Sequence, residues 1–340
     1  MGDGPSALVE AARRVAADVL EPAAQATDQA DVVPRSHIEA LAAAGLCGLS
    51  CPPGVPAADA RAVFEALAGA CGVTFFVWVQ HHAPVRMLAG SPNHALRDRY
   101  LGDLCAGRIL GGVAFAYLRR PGPPAVVARR VAGRWQVDGE APWVTSWGLA
   151  GLYAVAARHG GDVVFFLVDA TTSTALRPSP PLALAAMGAS STVRLAFDDL
   201  LVPDDDVLSI VPFDRWQAED RVATARPNPA AFGIAATCVR LIGDTPLAQE
   251  LAGLRARSYA LADEHRTDRA HLDAMVDARA ASLDLALRAA TALVATTGGR
   301  AMALDHPAQR LLREAAFFAI QAQTPALRRA TLAQLEWRRS

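Results

Sequence analysis

The feature that most constrains the fold is a change in the spacing of apolar residues, which happens twice along the chain. Up to residue 110 apolar residues recur every three to four positions, as in "ALVEAARRVAADVL", and this spacing predicts amphipathic helices. From Gly111 short apolar runs alternate with Gly and Pro, and from about Asn228 the helical spacing returns. We therefore predict an α+β multidomain protein: an N-terminal helical domain (1–110), a central β-barrel-like domain (111–212) and a C-terminal helical bundle (225–340).

Two local patterns give more specific predictions. The segment "VTFFVWVQHHAPVRML" (73–88) is rich in strand-forming residues but lies among helices, and we predict a buried helix there. In "RWQVDGEAPWVTSWG" the pair Asp138-Gly139 separates two short strand-like runs. Asp-Gly is a strong signal for a tight hairpin turn, because both central residues of that turn adopt positive φ. A hairpin turn is therefore predicted at these two residues.

Size and charge exclude several classes of protein. A chain of 340 residues is longer than the roughly 250–300 residues at which single cores stop growing, so more than one packed unit is expected. The formal net charge of -1 argues against nucleic acid as a partner. Every basic side chain is Arg, and the lack of Lys excludes lysine-based covalent catalysis. No run approaches the roughly 18 apolar residues of a membrane helix, and the first residues lack a secretory pattern. We expect a soluble, cytoplasmic protein without a membrane partner.

The cysteines do not form a metal-binding pattern. They are Cys47, Cys51, Cys71, Cys105 and Cys238. The first two are close in sequence, but a zinc site would need a second pair or suitably spaced histidines. We predict five reduced thiols and no metal site.

Four segments resemble one enzyme family. They are "VLEPAAQATDQADVVPRSHIEALAAAGLCGLSCP", "DGEAPWVTSWG", "MGASSTVRLAFDDLLVP" and "GGRAMALDHPAQRLLREA". Each is similar to a segment of the acyl-CoA dehydrogenase superfamily, whose members have helices, a β domain and helices in the same order. The resemblance implies binding of FAD and of an acyl-CoA or related thioester. In that family a carboxylate removes a proton from Cα, and a hydride passes from Cβ to the flavin.

The resemblance also implies which residues bind the flavin. They are Phe115, Tyr117, Leu118, Trp143, Thr145, Gly298, Gly299 and Thr324. Trp143 has the alternative of being a core aromatic residue, and the glycine pair could simply end a helix. Leu118 stands where the family has a flavin-binding hydroxyl. Ala295 replaces a family Gln, and the Arg-x-x-Phe-Gly segment, which binds flavin across the family's dimer interface, has no counterpart.

The family's catalytic base is missing. In the register set by Gly298-Gly299, Pro307 and Arg313, the family's Glu-Gly-Thr becomes Ala322-Gln323-Thr324. The second family location for the base, on the first helix of the C-terminal bundle, also lacks a carboxylate, since residues 221–243 contain no Asp or Glu. His82 is a candidate general acid or base, with the alternative of a structural histidine at a helix end.

Three functions fit these observations. The first is an acyl-CoA dehydrogenase-like FAD-dependent oxidoreductase, a short subunit that forms a heteromer with a full-length subunit carrying the base. The second is a repurposed cyclase, lyase or ligand-binding protein of specialised metabolism that has lost flavin chemistry. The third is a purely structural partner. The resemblance implies a homodimer or heteromer rather than a monomer.

Overall fold

The computed structural model describes residues 6–337, and its first part is helical. The helices are α1 (Ala7–Val15), α2 (Glu21–Asp28), α3 (Arg35–Ala43), α4 (Ala57–Ala70), α5 (Gly72–Gln80), α6 (His82–Ala89) and α7 (His94–Cys105). A π-helical turn, Ala16–Leu20, joins α1 to α2. The Ser6 hydroxyl accepts a hydrogen bond from the N–H of Val9 and so caps α1.

The predicted buried helix at 73–88 is confirmed, as the two helices α5 and α6. Every residue of α5 from Gly72 to Trp78 is buried. A helix that is apolar on all sides must be enclosed by protein. Tertiary packing therefore determines the structure of this segment, despite its many strand-forming residues.

The central part forms one mixed sheet of eight strands. They are β1 (Gly111–Ala114), β2 (Val126–Val131), β3 (Arg134–Val144), β4 (Leu152–His159), β5 (Asp162–Asp169), β6 (Leu176–Pro178), β7 (Val193–Val202) and β8 (Val207–Pro212). The strand order is β6-β7-β3-β2-β4-β5-β8, and β1 pairs with β4. Strands β1 and β2 run parallel to β4, and the other paired strands are antiparallel.

The predicted hairpin turn at Asp138-Gly139 is wrong. Both residues lie inside β3, where the pairing with β7 is irregular. Gly139 has φ +123°, and a Cβ atom there would lie 2.1 Å from the carbonyl oxygen of Ala125. The glycine therefore serves a β-bulge and a close backbone approach. The turn between β2 and β3 is instead formed by Ala132 and Gly133, which both have positive φ.

The last part of the chain is again helical. Its helices are α8 (Phe213–Ala225), α9 (Pro229–Ile242), α10 (Leu247–Asp263), α11 (Arg269–Thr297), α12 (Pro307–Ile320) and α13 (Pro325–Trp337). The chain thus has the predicted class of fold: N-terminal helices, a central β domain and a C-terminal helical bundle.

Two hydrophobic cores hold these parts together. The first contains residues of both helical regions, with Trp78, Phe232 and Phe318 among its fully buried side chains. The second is formed mainly by the β-strands, with Tyr153 and Phe166 among its members, and also contains side chains of α6 and α7. The two helical regions, although far apart in sequence, therefore share one core, whereas the β-strands pack together with α6 and α7 in the other.

The cysteine prediction is partly wrong. Cys51, which follows α3, and Cys105, at the end of α7, form a disulfide. They lie 54 residues apart in the chain, and their sequence spacing gave no indication that the fold brings them together. Cys47, Cys71 and Cys238 are free and buried. Burial raises the pKa of the Cys47 thiol to about 11, so this thiol is protonated at neutral pH.

Within residues 6–337, none of the helices combines the length and the apolar character needed to cross a membrane. The same residues contain no group of His, Cys, Asp and Glu side chains that could hold a metal ion.

Candidate functional site

The end of β3 carries an exposed aromatic ring on an unusual backbone. Trp143 has φ +61° and is 50% exposed. A bulky residue with positive φ is strained, and such strain often lies at functional sites. The exposure shows that the alternative of a core aromatic residue is wrong. Ser146, three residues later, also has positive φ, at +71°.

A second strained segment holds the first in place. Met187 and Ser191 have φ +62° and +47°, and the turn between them contacts α5 and α2. The N–H of Ser146 donates to the carbonyl of Ser190 (2.9 Å), and the N–H of Trp147 donates to that of Ser191 (3.2 Å). The strained end of β3 is therefore fixed where the β domain meets the helices.

Polar groups surround this junction. Thr145 is buried, and its hydroxyl lies 3.3 Å from the hydroxyl of Thr192. The Tyr153 hydroxyl donates to the carbonyl of Thr145 at 3.0 Å. The hydroxyl of Ser146 is buried and has no hydrogen-bond partner among the described residues. An unpaired buried hydroxyl is costly, so Ser146 is a candidate for a hydrogen bond to a ligand at this junction.

The predicted residues after β1 have a different environment. Tyr117 and Leu118 are buried in the core of the β domain, and the Tyr117 hydroxyl bonds to the carbonyl of Ala156. Phe115 is half-buried and packs edge-on against Phe165. These three side chains contribute packing to the β domain.

The first of the two arginines after Leu118 links this segment to the C-terminal helices. Arg119 donates two hydrogen bonds, of 2.9 and 2.7 Å, to the carboxylate of Asp220 on α8. This bidentate ion pair fixes the position of the segment against α8. The sequence could suggest an anion-binding arginine, but not that the anion is this aspartate.

The loop between α12 and α13 contains Ala322, which has φ +53°. Thr324 caps α13, because its hydroxyl accepts a hydrogen bond from the N–H of Leu327 at 3.2 Å. The Ala322 methyl group cannot accept a proton, and Gln321 and Gln323 carry neutral amides. The loop itself therefore offers no general base.

A buried arginine ties this loop to α8. Arg279 of α11 is 6% exposed and donates to the carbonyls of Thr224 (2.9 Å), Arg226 (3.3 Å) and Gln321 (3.4 Å). Its Nε has no partner among the described residues. Burial, with a contribution from the nearby Arg119, lowers the pKa of Arg279 to about 10, so it remains charged at neutral pH. Sequence reasoning missed this residue, although an arginine in an apolar stretch of a long helix was a detectable signal.

Gly298 and Gly299 lie at the other end of the bundle. They follow α11 and are exposed, and a Cβ atom at either would meet nothing within 4 Å. Helix α12, which separates them from Ala322, has 14 residues and so is roughly 20 Å long. One chain thus places the glycine pair and the Ala322 loop at opposite ends of α12.

His82 lies inside the helical core. It is 1% exposed, neither ring nitrogen has a hydrogen-bond partner among the described residues, and its ring packs against Trp78 and Phe64. Burial holds the pKa of His82 well below its usual value. Its neighbour His81 lies between α7 and β1: its Nε2 donates to the carbonyl of Leu104, and its Nδ1 accepts from the N–H of Gly111.

Because these two histidines are buried, we expect the folded protein to lose stability in mild acid. Burial lowers the pKa of His81 from 6.5 to about 4, so below pH 6.5 the unfolded chain binds a proton that the folded chain does not. Stability should fall as the pH drops from 6.5 to 4, by about 3 kcal/mol for His81 alone. Urea unfolding at several pH values measures this loss. His82→Phe should weaken the pH dependence, whereas His94→Gln, at an exposed position on α7, should leave it unchanged.

Comparison with known proteins agrees with this architecture. Residues 4–108 match the family model "Acyl-CoA dehydrogenase, N-terminal domain". The chain is 26% identical over 220 residues to benzylmalonyl-CoA dehydrogenase of Aromatoleum aromaticum. That match covers 61% of this chain and 58% of the relative, so the chain spans less than two thirds of the relative's length.

Solved structures share the fold over nearly the whole chain. Butyryl-CoA dehydrogenase from Megasphaera elsdenii has a TM-score of 0.80 at 17% identity, covering 98% of this chain and 100% of that one. A glutaryl-CoA dehydrogenase from Mycobacterium smegmatis in complex with FADH2 has a TM-score of 0.79 at 16% identity, covering 96% and 93%. Residues 4–108 thus match the N-terminal domain family of the acyl-CoA dehydrogenases, and the chain as a whole has the acyl-CoA dehydrogenase fold.

Proposed function

We propose that the chain is an acyl-CoA dehydrogenase-like flavoprotein subunit that binds FAD and an acyl thioester and obtains its catalytic base from a partner subunit. The observation that best supports flavin binding is the position of Trp143. This residue places an exposed aromatic ring, on strained backbone, at the junction of the β domain and the helices. An aromatic face in that position suits a flat ring system.

The residues present fit the flavin at this junction. Trp143 offers a ring face, and the unpaired Ser146 hydroxyl offers a hydrogen bond. Gly298 and Gly299 lie elsewhere and would leave space for close approach of a flavin held by a partner chain. When bound, FAD would supply the acceptor for a hydride from the acyl chain. The segment at Tyr117 and Leu118 contributes no free hydroxyl, so we assign it packing alone.

The positions of the glycine pair and the Ala322 loop support a second subunit. They precede and follow α12, which is roughly 20 Å long, so one chain does not bring both to the same part of a cofactor. A partner chain could present its own glycine pair to this flavin, and the assembly would take its catalytic carboxylate from a chain that carries one. Ala322, which cannot act as a base, makes such a partner necessary for α-proton removal.

The test is purification of the tagged chain from its source cells. We expect a second acyl-CoA dehydrogenase-like chain to co-elute, with visible flavin absorbance in the mixture. Isolated chain that carries stoichiometric flavin and oxidises an acyl-CoA would contradict the need for a partner. A mixture without flavin would contradict the flavin assignment.

A substitution at Trp143 tests the proposed ring contact. Trp143→Ala should weaken FAD binding by the assembly about two- to tenfold, because loss of an aromatic stacking contact costs about 0.5–1.5 kcal/mol. Thermal stability should change little, because half of the side chain is already exposed. Leu201→Ala, at a 50% exposed position on β7, is the matched control and should leave FAD affinity unchanged. Equal effects of the two substitutions would count against the contact.

A further inference from the structure

A groove lies between helices of the two helical regions, away from the strained end of β3. Its volume is about 700 Å³, within the range of about 300–1,000 Å³ that is usual for small-molecule sites. Helices α1, α2, α4, α9 and α10 and the π-helical turn line it, and no residue of the β domain does. The groove is therefore separate from the proposed flavin site.

The floor of the groove consists of small residues. Helices α4 and α9 cross in close contact, since a Cβ atom on Gly233 would lie 2.2 Å from the carbonyl oxygen of Glu65. Thr237 donates to the carbonyl of Gly69 at the same crossing. The surrounding alanines, among them Ala62 and Ala66, leave space that larger side chains would fill.

The rim of the groove is charged, and one of its arginines lacks a carboxylate partner among the described residues. Each carboxylate that lines the groove already pairs with an arginine: Arg240 with Glu21, and Arg255 with Glu65. Arg61 pairs with Asp263 just outside. Arg13, on α1, has no ion-pair partner among the described residues.

The groove has a second uncommon feature beside Arg13. The helix that carries this arginine forms its π-helical turn there, and Ala16 and Ala17 of that turn line the groove. Single π-helical turns within α-helices are rare and frequently lie at functional sites.

We propose that this groove binds a small organic acid, with its carboxylate on Arg13 and its apolar body on the alanine floor. A guanidinium without a counter-ion matches a carboxylate in charge and geometry. The alanine and glycine surface favours an aliphatic or aromatic body over a purely polar one.

Isothermal titration with decanoate, decanol and decyltrimethylammonium, each below its micelle concentration, tests the proposal. Decanoate should bind, decanol should bind about tenfold more weakly or less, and the cation should not bind. Arg13→Gln should weaken decanoate binding about tenfold, the change expected for loss of roughly 1.4 kcal/mol. Arg14→Gln, the adjacent arginine outside the groove, should leave it unchanged.

Ala62→Phe, which fills the floor of the groove, should abolish decanoate binding. Ala62→Leu, which should weaken binding, is the variant to use if the larger substitution impairs folding. Circular dichroism identifies any variant that fails to fold. Three results would overturn the proposal: no decanoate binding, equal effects of Arg13→Gln and Arg14→Gln, or unchanged binding by folded Ala62 variants.

Discussion

Replacing Ala322 with glutamate should create α-proton abstraction in this subunit and raise the rate of flavin reduction by an acyl-CoA about 10²- to 10⁴-fold, the usual contribution of a general base. The loop is already fixed by Arg279 and by the Thr324 cap, so a longer side chain at 322 starts from a defined backbone. Ala322 already has φ +53°, so glutamate at this position adds little backbone strain to what the alanine bears.

Single-turnover bleaching of the flavin measures this effect. The assembly is reconstituted with a partner whose own catalytic carboxylate is replaced by glutamine, so that any new activity comes from position 322. Ala322→Gln is the control, because it has the size of glutamate without a proton acceptor. If both variants bind flavin and thioester but bleach the flavin at the same low rate, the placement of the base at residue 322 is wrong.

The second large effect concerns a buried ion pair in the helical core. Arg310 donates to both carboxylate oxygens of Glu314 at 2.9 Å, and their side chains are 3% and 2% exposed. The same carboxylate accepts the N–H of Gly72 at the start of α5, and Arg310 also donates to Gln25 of α2. The pair thus links α12 to the N-terminal helices.

Glu314→Gln should lower the free energy of unfolding by about 3–5 kcal/mol, because it leaves a buried guanidinium without its counter-ion. Burial raises the pKa of Glu314 against the pull of Arg310, which indicates how costly the buried charge is. Urea unfolding at pH 7 measures the loss.

A double variant separates charge from packing. Glu314→Met combined with Arg310→Met removes both charges, and it should be less destabilising than Glu314→Gln alone. A double variant at least as unstable as the single one would show that packing, rather than the unpaired charge, causes the loss. Urea unfolding of Gly72→Ala provides a second measurement at this contact, since the added Cβ atom would lie 2.7 Å from the Glu314 side chain.

Sequence reasoning found the architecture because apolar spacing directly reflects which faces are buried. The two changes of spacing separate the helical and β regions, and the segment 73–88 was correctly predicted as buried helix because of its neighbours. The Asp138-Gly139 prediction failed because the same glycine conformation serves a turn or a bulge. Only the pairing of β3 with β7 distinguishes the two.

The sequence predicted only those site residues that lie in a motif of the family. Trp143 and Ala322 follow from the resemblance, but the strain at Trp143 and the exposure of its ring required coordinates. The pairing of Cys51 with Cys105 and the contacts of Arg279 join residues far apart in sequence, so no local pattern reports them. The Arg13 groove likewise results from packing of five helices.

The most direct test of the proposed function is the visible absorbance of two samples, the chain purified alone and the chain with its co-eluting partner. Each sample is first saturated with FAD and then passed through a desalting column. We expect negligible flavin on the isolated chain and stoichiometric flavin in the assembly, bleached on addition of an acyl-CoA. Stoichiometric flavin on the isolated chain, bleached by acyl-CoA without a partner, would contradict the proposal that this subunit depends on another for its cofactor site and its base.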